Sequence, residues 1–187
     1  MAVKERISEQ EYQRLALDTP DVQWELHRGE LREKPGMSAE HNDVMTELVY
    51  QLRGQLDRRH FRVRVNSART RRTSENYYIP DLLVVPAALE HPQRGQPGTL
   101  EIYDAPLPLV VEIWSRSTGV YDIDSKLPEY QARGDKEIWR IHPYDRTLSA
   151  WVRQPEGSYA RTDYQGGIVR PTTPPNVEID LVVLFAD

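Results

Sequence analysis

Between Ser38 and Arg59, Val44, Leu48, Leu52 and Leu56 recur every four residues, and Met45 and Val49 widen the stripe. That spacing places them on one face of an amphipathic helix. Ser38 stands at the N-cap position, with His41 three residues on where a Glu is more usual. A shorter helix is expected from Ser8 to Ala16, where Ser8 and Glu11 have capping-box spacing. Trp24 to Glu33 alternates loosely around Arg28-Gly29 and reads as a hairpin, broken by Pro35-Gly36. Phe61, Val63 and Val65 alternate with Arg62, Arg64 and Asn66, the two-residue period of a strand.

A second strand is expected from Tyr77 to Val85, through Pro80 and Asp81. The proline-rich stretch 86–106 is a long connection with a short helix near Ala87 to Glu90. Leu107 to Trp114 is nearly continuous apolar sequence interrupted by Glu112, as suits a strand buried on both faces. A helix should follow and end before Gly134. Proline is tolerated only in a first helical turn, so Pro128 makes the regular helix start near Asp124 or kink there. Glu137 to Ile141, Leu148 to Val152 and Ser158 to Tyr164 are further strands, and Val177 to Phe185 mixes strand and helix signals. The order predicts one mixed α/β (α+β) domain over 1–187: a central mixed sheet flanked by helices, with an N-terminal hairpin.

Composition narrows the function. The chain has 187 residues, 39% of them apolar, and a mean hydropathy of -0.67. No apolar run approaches the roughly 20 residues of a membrane-spanning helix, and the opening residues lack a secretory signal. The absence of cysteine excludes disulfides, thiolate metal sites and a cysteine nucleophile. The expected location is cytoplasmic, with no membrane partner. A net charge of -5 argues against a general nucleic-acid coat protein. Only four of the 24 basic residues are lysines, so the position of each lysine is informative.

Two carboxylates, Asp81 and Glu112, sit in apolar strand sequence. Burying an ionised carboxylate is costly unless it is paired or bound to metal. On neighbouring strands the two would converge on one hard cation, since Mg²⁺ is held by one or two carboxylates plus water and phosphate. Taken singly, each is better read as structural, Asp81 starting a strand after a turn and Glu112 pairing with an arginine; the two together, with a lysine downstream, shift the balance. Asp122, Lys126 and Tyr130, four residues apart, share a helical face, so the ammonium is placed either to act on phosphate or to form an ordinary ion pair. Residues 58–72 hold seven arginines and no acid. Arg62, Arg64, Arg69, Arg71 and Arg72 are candidate contacts to a nucleic-acid backbone, with a solvated strand face as the plain alternative. His41 is placed for metal binding or proton transfer, or simply to support the helix start. There is no HExxH pair, phosphate loop, dinucleotide fingerprint or GxSxG elbow.

The ordered set Pro80-Asp81, Glu112-Ile113-Trp114-Ser115, Ser117-Thr118, Asp122, Lys126, Tyr130, Gly134 and Glu137-Ile138-Trp139 resembles the Uma-two (Uma2) family of restriction-endonuclease-like proteins, within the PD-(D/E)XK nuclease superfamily. Trp24-Glu25-Leu26, Glu40-His41 and Ile179-Asp180-Leu181 extend the resemblance nearly end to end. It implies a restriction-endonuclease-like core with Asp81, Glu112 and the Ile113 carbonyl as Mg²⁺ ligands (Mn²⁺ as substitute), and Glu25 and His41 as auxiliary residues. The superfamily lysine lies two residues after the glutamate, where this chain has Trp114, so the resemblance assigns that role to Lys126. His142 replaces a usual aspartate, and Pro128 is unusual in the lysine-bearing helix.

The reading is a Mg²⁺-dependent endonuclease acting on DNA, with a homodimer as the arrangement that would cut both strands. The alternative is a non-catalytic nuclease-fold protein that binds nucleic acid or a protein partner. A carboxylate-pair glycosidase fits less well, since that chemistry has no use for the lysine.

Overall fold

The computed structural model describes residues 6–186. Helix α1 (Glu9–Asp18) starts at the expected capping box: Ser8 Oγ accepts the Glu11 amide at 3.3 Å, and Glu11 Oε2 accepts the Ser8 amide at 2.8 Å. Strands β1 (Trp24–His27) and β2 (Glu30–Glu33) form the hairpin. Its two turn residues, Arg28 and Gly29, have φ of 52° and 79°, the left-handed pair that a two-residue turn between twisted strands needs.

Helix α2 (Ala39–Gln55) buries Val44, Leu48 and Leu52, and Ser38 caps it. It stops short of the expected Arg59. Leu56 turns extended, and Asp57 Oδ1 accepts the Arg59 amide at 2.8 Å, a local turn that competes with the helix. Next come β3 (Phe61–Val65), β4 (Arg69–Thr73), β5 (Asn76–Tyr78) and β6 (Leu82–Pro86). The expected strand from Tyr77 to Val85 is thus two strands in two different sheets. Pro80, which offers no amide to a ladder, sits in the break.

Helix α3 (Ala87–Glu90), β7 (Ile102–Tyr103), β8 (Leu109–Ile113) and α4 (Gly119–Tyr121) follow. A π-helical turn, Asp122–Lys126, then leads into α5 (Leu127–Arg133), which Gly134 closes with φ of 80°. The remaining elements are β9 (Glu137–His142), β10 (Thr147–Arg153), β11 (Tyr159–Tyr164), β12 (Ile168–Val169), β13 (Ile179–Asp180) and α6 (Leu181–Leu184).

The main sheet runs β11-β10-β9-β8-β6-β3, with β8 and β9 parallel and the other pairs antiparallel. A second sheet runs β2-β1-β5-β4-β7. The fold is the mixed sheet flanked by helices that the sequence predicts. One face of the main sheet, with Leu82, Val84, Leu109, Val111 and Trp139, packs on α2 and the C-terminal segment. The other face, with Leu83, Val85, Val110 and Ile138, packs on Tyr78 and on Tyr130 of α5. Each fully buried Leu or Val contributes about 1.5–3 kcal/mol, so the core fixes the strand ends that carry the polar site. No helix of the described residues is long and apolar enough to cross a membrane.

Candidate active site

Strands β6 and β8 pair Leu82 with Val111, so one more step of the antiparallel ladder sets Asp81 opposite Glu112. Along β8, Leu109, Val111 and Ile113 join the cluster on the α2 side, while Val110 joins the opposite one. Glu112 therefore faces α5 and is only 5% exposed.

Asp81 is held from three directions. Its Oδ1 lies 2.8 Å from Lys34 Nζ. Its Oδ2 accepts the Ile113 amide at 2.6 Å and lies 3.1 Å from His41 Nε2 in the first turns of α2. An ionised Asp81 only accepts, so His41 donates through Nε2, and its buried Nδ1 has no partner among the described residues. Lys34 Nζ also meets Asn66 Oδ1 at 2.7 Å and the Ile79 carbonyl at 2.8 Å. Burial alone would raise the Asp81 carboxyl, but the Lys34 ammonium and the His41 hydrogen bond outweigh it and hold the group well below the usual carboxylate range.

Lys126 is the second centre. Its Nζ lies 2.9 Å from Glu25 Oε1, 3.2 Å from Glu112 Oε1 and 3.4 Å from Asp122 Oδ1. Glu25, on β1, also accepts the Ile79 amide at 2.8 Å, which ties the hairpin to the strand break before Asp81. Tyr130 donates its hydroxyl to the same Glu112 Oε1 at 2.6 Å. The structure thus brings Asp122, Lys126 and Tyr130 to one face, as their spacing predicts. The regular helix begins at Leu127 rather than Asp124, with Pro128 in its first turn. The π turn before it bonds the Leu127 amide back to the Asp122 carbonyl. That wide turn admits the proline and still delivers Lys126 to Glu112.

The cluster carries four carboxylates (Glu25, Asp81, Glu112, Asp122) against two ammonium groups (Lys34, Lys126). Burial, opposed in part by Lys126 and reinforced by Asp122 and Asp81, pushes the Glu112 carboxyl up to about 8. Asp122 is raised for the same first reason, with Lys126 opposing. Burial works against the Lys126 charge, but the surrounding carboxylates outweigh it, so it remains an ammonium. Both contacts to Glu112 fall on Oε1, which leaves Oε2 uncommitted. Among the described residues, no three His, Asp or Glu side chains form a ready-made metal cage. A Mg²⁺ site does not require one: two carboxylates with water and substrate oxygens suffice. The uncommitted Oε2 and the excess of hard oxygen donors fit that ion.

An open pocket of about 410 Å³ lies over Glu25 and Lys126, walled by Arg32, Lys34, Thr118 and Tyr121. Arg32 stacks 4.0 Å over the Tyr121 ring at its mouth. The wall after β8 is ordered by Ser115 Oγ, which lies 2.8 Å from Thr118 Oγ1, and by Thr118, which donates to Asp122 at 2.9 Å. Trp114 occupies the position two residues after Glu112 and points away from the cluster's polar contacts, stacked on His142 with ring centres 4.2 Å apart. A Cβ added at Gly119 would lie 2.1 Å from the Trp114 indole nitrogen. Gly119→Ala should therefore displace the indole and cost about 1–3 kcal/mol by overpacking. Urea denaturation followed by tryptophan fluorescence checks this; an unchanged midpoint would contradict it.

Sequence reasoning missed Lys34. The signal was its rarity, one lysine of four, but its partners lie 32 to 47 positions downstream. The five candidate arginines do not converge on this cluster. Arg62 and Arg64 on β3 pair with Glu90 at 3.6 and 2.7 Å. Arg69 is buried and donates to Tyr12 at 2.9 Å. Arg71 pairs with Glu9 at 2.8 Å and Asp104 at 3.0 Å. Arg72 makes a forked pair with Glu129 at 2.7 and 2.9 Å.

The model of the Uma2 family, described as "Putative restriction endonuclease", matches residues 9–182. The fold is similar to the crystal structure of a protein from Anabaena variabilis ATCC 29413 described as a putative nuclease belonging to DUF820. The TM-score is 0.74 at 17% identity, over 96% of this chain and 97% of that one. The comparison with curated proteins gave no match.

Proposed function

The chain belongs to the Uma2 family, and from that premise we propose that it is a Mg²⁺-dependent endonuclease that hydrolyses phosphodiester bonds in DNA. The observation that carries the reading is the meeting of Asp81 and Glu112 at the strand break, in a buried cluster richer in carboxylate than in cation. Asp81 and Glu112 would hold the ion. The Ile113 amide points at Asp81, and in an extended strand the carbonyl of the same residue points to the same edge, so Ile113 would offer a third oxygen. The chemistry such an ion would supply is Lewis-acid polarisation of the phosphoryl oxygens and a more acidic water.

The chain's own residues do the rest. Tyr130 and Lys126 fix Glu112 by Oε1 and leave Oε2 uncommitted. Lys34 and His41 keep Asp81 ionised and oriented. The Lys126 ammonium, facing the pocket, orients the attacking water and offsets charge developing on the phosphate. Arg32 at the mouth is placed to meet an adjacent phosphate oxygen.

The second reading is a non-catalytic nuclease-fold protein that binds nucleic acid or a protein partner. One observation favours it: both carboxylates already have ammonium partners without a metal. Calorimetric titration of Mg²⁺ and Mn²⁺ into wild type and Asp81→Asn separates the two. The endonuclease reading expects saturable binding by wild type and none by the variant. No binding by wild type, with DNA present or absent, would favour the second reading.

A further inference from the structure

A basic cavity lies at the other end of β3 from the carboxylate cluster. It has a volume of about 100 Å³, and Arg53, Arg58, Arg62, Arg64 and Arg94 line it around Phe61. The five come from the last turn of α2, the turn after it, β3 and the loop after α3. No sequence window shows this set, because Arg53 and Arg94 lie outside the arginine-rich stretch 58–72.

The geometry is that of an anion site. Three of the guanidinium groups already converge on one carboxylate: Glu90 lies 3.6 Å from Arg62, 2.7 Å from Arg64 and 2.7 Å from Arg94. Glu101 takes a further contact from Arg64 at 2.6 Å. The Arg53 and Arg58 side chains are exposed and have no hydrogen bond or ion pair among the described residues. Five guanidinium groups against two carboxylates leave a local positive excess on a chain of net charge -5. Like charges held together without a full set of counter-charges repel one another, and an external anion relieves that repulsion.

The position suggests which anion. β3 is an edge strand of the main sheet, so the cavity opens along a free edge. Phe61 pairs with Pro86, and Val65 pairs with Leu82 next to Asp81, four residues further along. At about 3.3 Å per residue this is roughly 13 Å of strand, while successive base pairs advance about 3.4 Å along DNA. A backbone crossing the carboxylate cluster therefore reaches the arginine cavity within a few nucleotides. We infer that the cavity is a phosphate-anchoring site that grips the DNA backbone a few nucleotides from the bond held at Asp81 and Glu112. Guanidinium groups suit this, because they hold phosphate oxygens by forked hydrogen bonds without reading sequence.

The inference rests on the nucleic-acid reading of the carboxylate site, but it is tested by binding alone, so a failure of cleavage does not decide it. The full chain is titrated into a short fluorescent DNA duplex in EDTA over a series of salt concentrations. Arg53→Gln/Arg58→Gln should weaken binding at every sequence tested. It should also flatten the dependence of log affinity on log salt by about 1.8, the loss of two phosphate contacts. Because neither side chain has an internal partner, the unfolding midpoint should not move. Arg161→Gln, on the opposite edge strand β11, should leave the slope as in wild type. Wild-type affinity and slope in the double variant would overturn the inference. So would equal losses in Arg161→Gln, or calorimetric binding of inorganic phosphate by a wild-type protein that ignores the duplex.

Discussion

Lys126→Met is expected to destabilise the protein by about 3–5 kcal/mol, the usual cost of stripping one partner from a buried ionic cluster. The ammonium lies within 3.4 Å of Glu25, Glu112 and Asp122, all almost fully buried, and Lys34 is committed to Asp81. Methionine fills the space but leaves three carboxylates facing one another. The loss should depend on pH. Burial already raises Glu112 to about 8 and raises Asp122, so at these two groups the folded state binds more protons than the unfolded chain. Stability from such groups is fully present below the unfolded carboxylate range and is lost as pH rises through the folded value. The penalty in Lys126→Met should therefore be largest near pH 8 and shrink towards about pH 4.5. Urea denaturation of both proteins at the two pH values measures it, and equal midpoints near pH 8 would contradict the account. Adding Glu112→Gln to Lys126→Met should recover part of the loss, because the two residues are in contact and their effects do not add.

Glu112→Gln alone should separate activity from folding. Burial pushes the Glu112 carboxyl up, so its surroundings already oppose its charge, and the neutral amide keeps its shape. The glutamine carbonyl can still accept from Tyr130, and Lys126 keeps Glu25 and Asp122. Stability should change by less than about 1 kcal/mol, as for a substitution that leaves no buried group unpaired. Cleavage should fall by on the order of 10³-fold or more, since metal-based stabilisation of the transition state is worth several kcal/mol. Nicking rates set beside denaturation midpoints test both halves. A variant that is stable and retains nearly full activity would remove Glu112 from the chemistry.

How much of this could be read from the chain depended on the range of each interaction. The four-residue apolar repeat of α2 is local, and it predicted the helix and its buried face. Asp81 and Glu112 were visible because carboxylates in apolar strands are costly, and Asp122, Lys126 and Tyr130 because helical spacing aligns them. The break at Ile79 to Asp81 was not legible. Its cause is that β5 pairs with β1 and β4 while β6 pairs with β3 and β8, a choice made by distant partners. The π turn before Pro128 is another tertiary result, since the proline marks an irregularity but not its geometry. Lys34 was hidden for the same reason. The partners of the arginine-rich stretch were also out of sight, because most of its counter-charges come from elsewhere in the chain. Arg71 finds Glu9 62 residues upstream, and Arg72 finds Glu129 57 residues downstream. His142, in place of an aspartate, finds a role by stacking on Trp114.

Nicking of supercoiled plasmid decides whether Asp81 serves metal-dependent cleavage: it is followed with purified wild type in Mg²⁺, wild type in EDTA, and Asp81→Asn in Mg²⁺. Conversion to open circles is expected in the first reaction and none in the other two. Conversion that persists in EDTA or in Asp81→Asn would contradict it, as would an inert wild type that binds Mg²⁺ and DNA together.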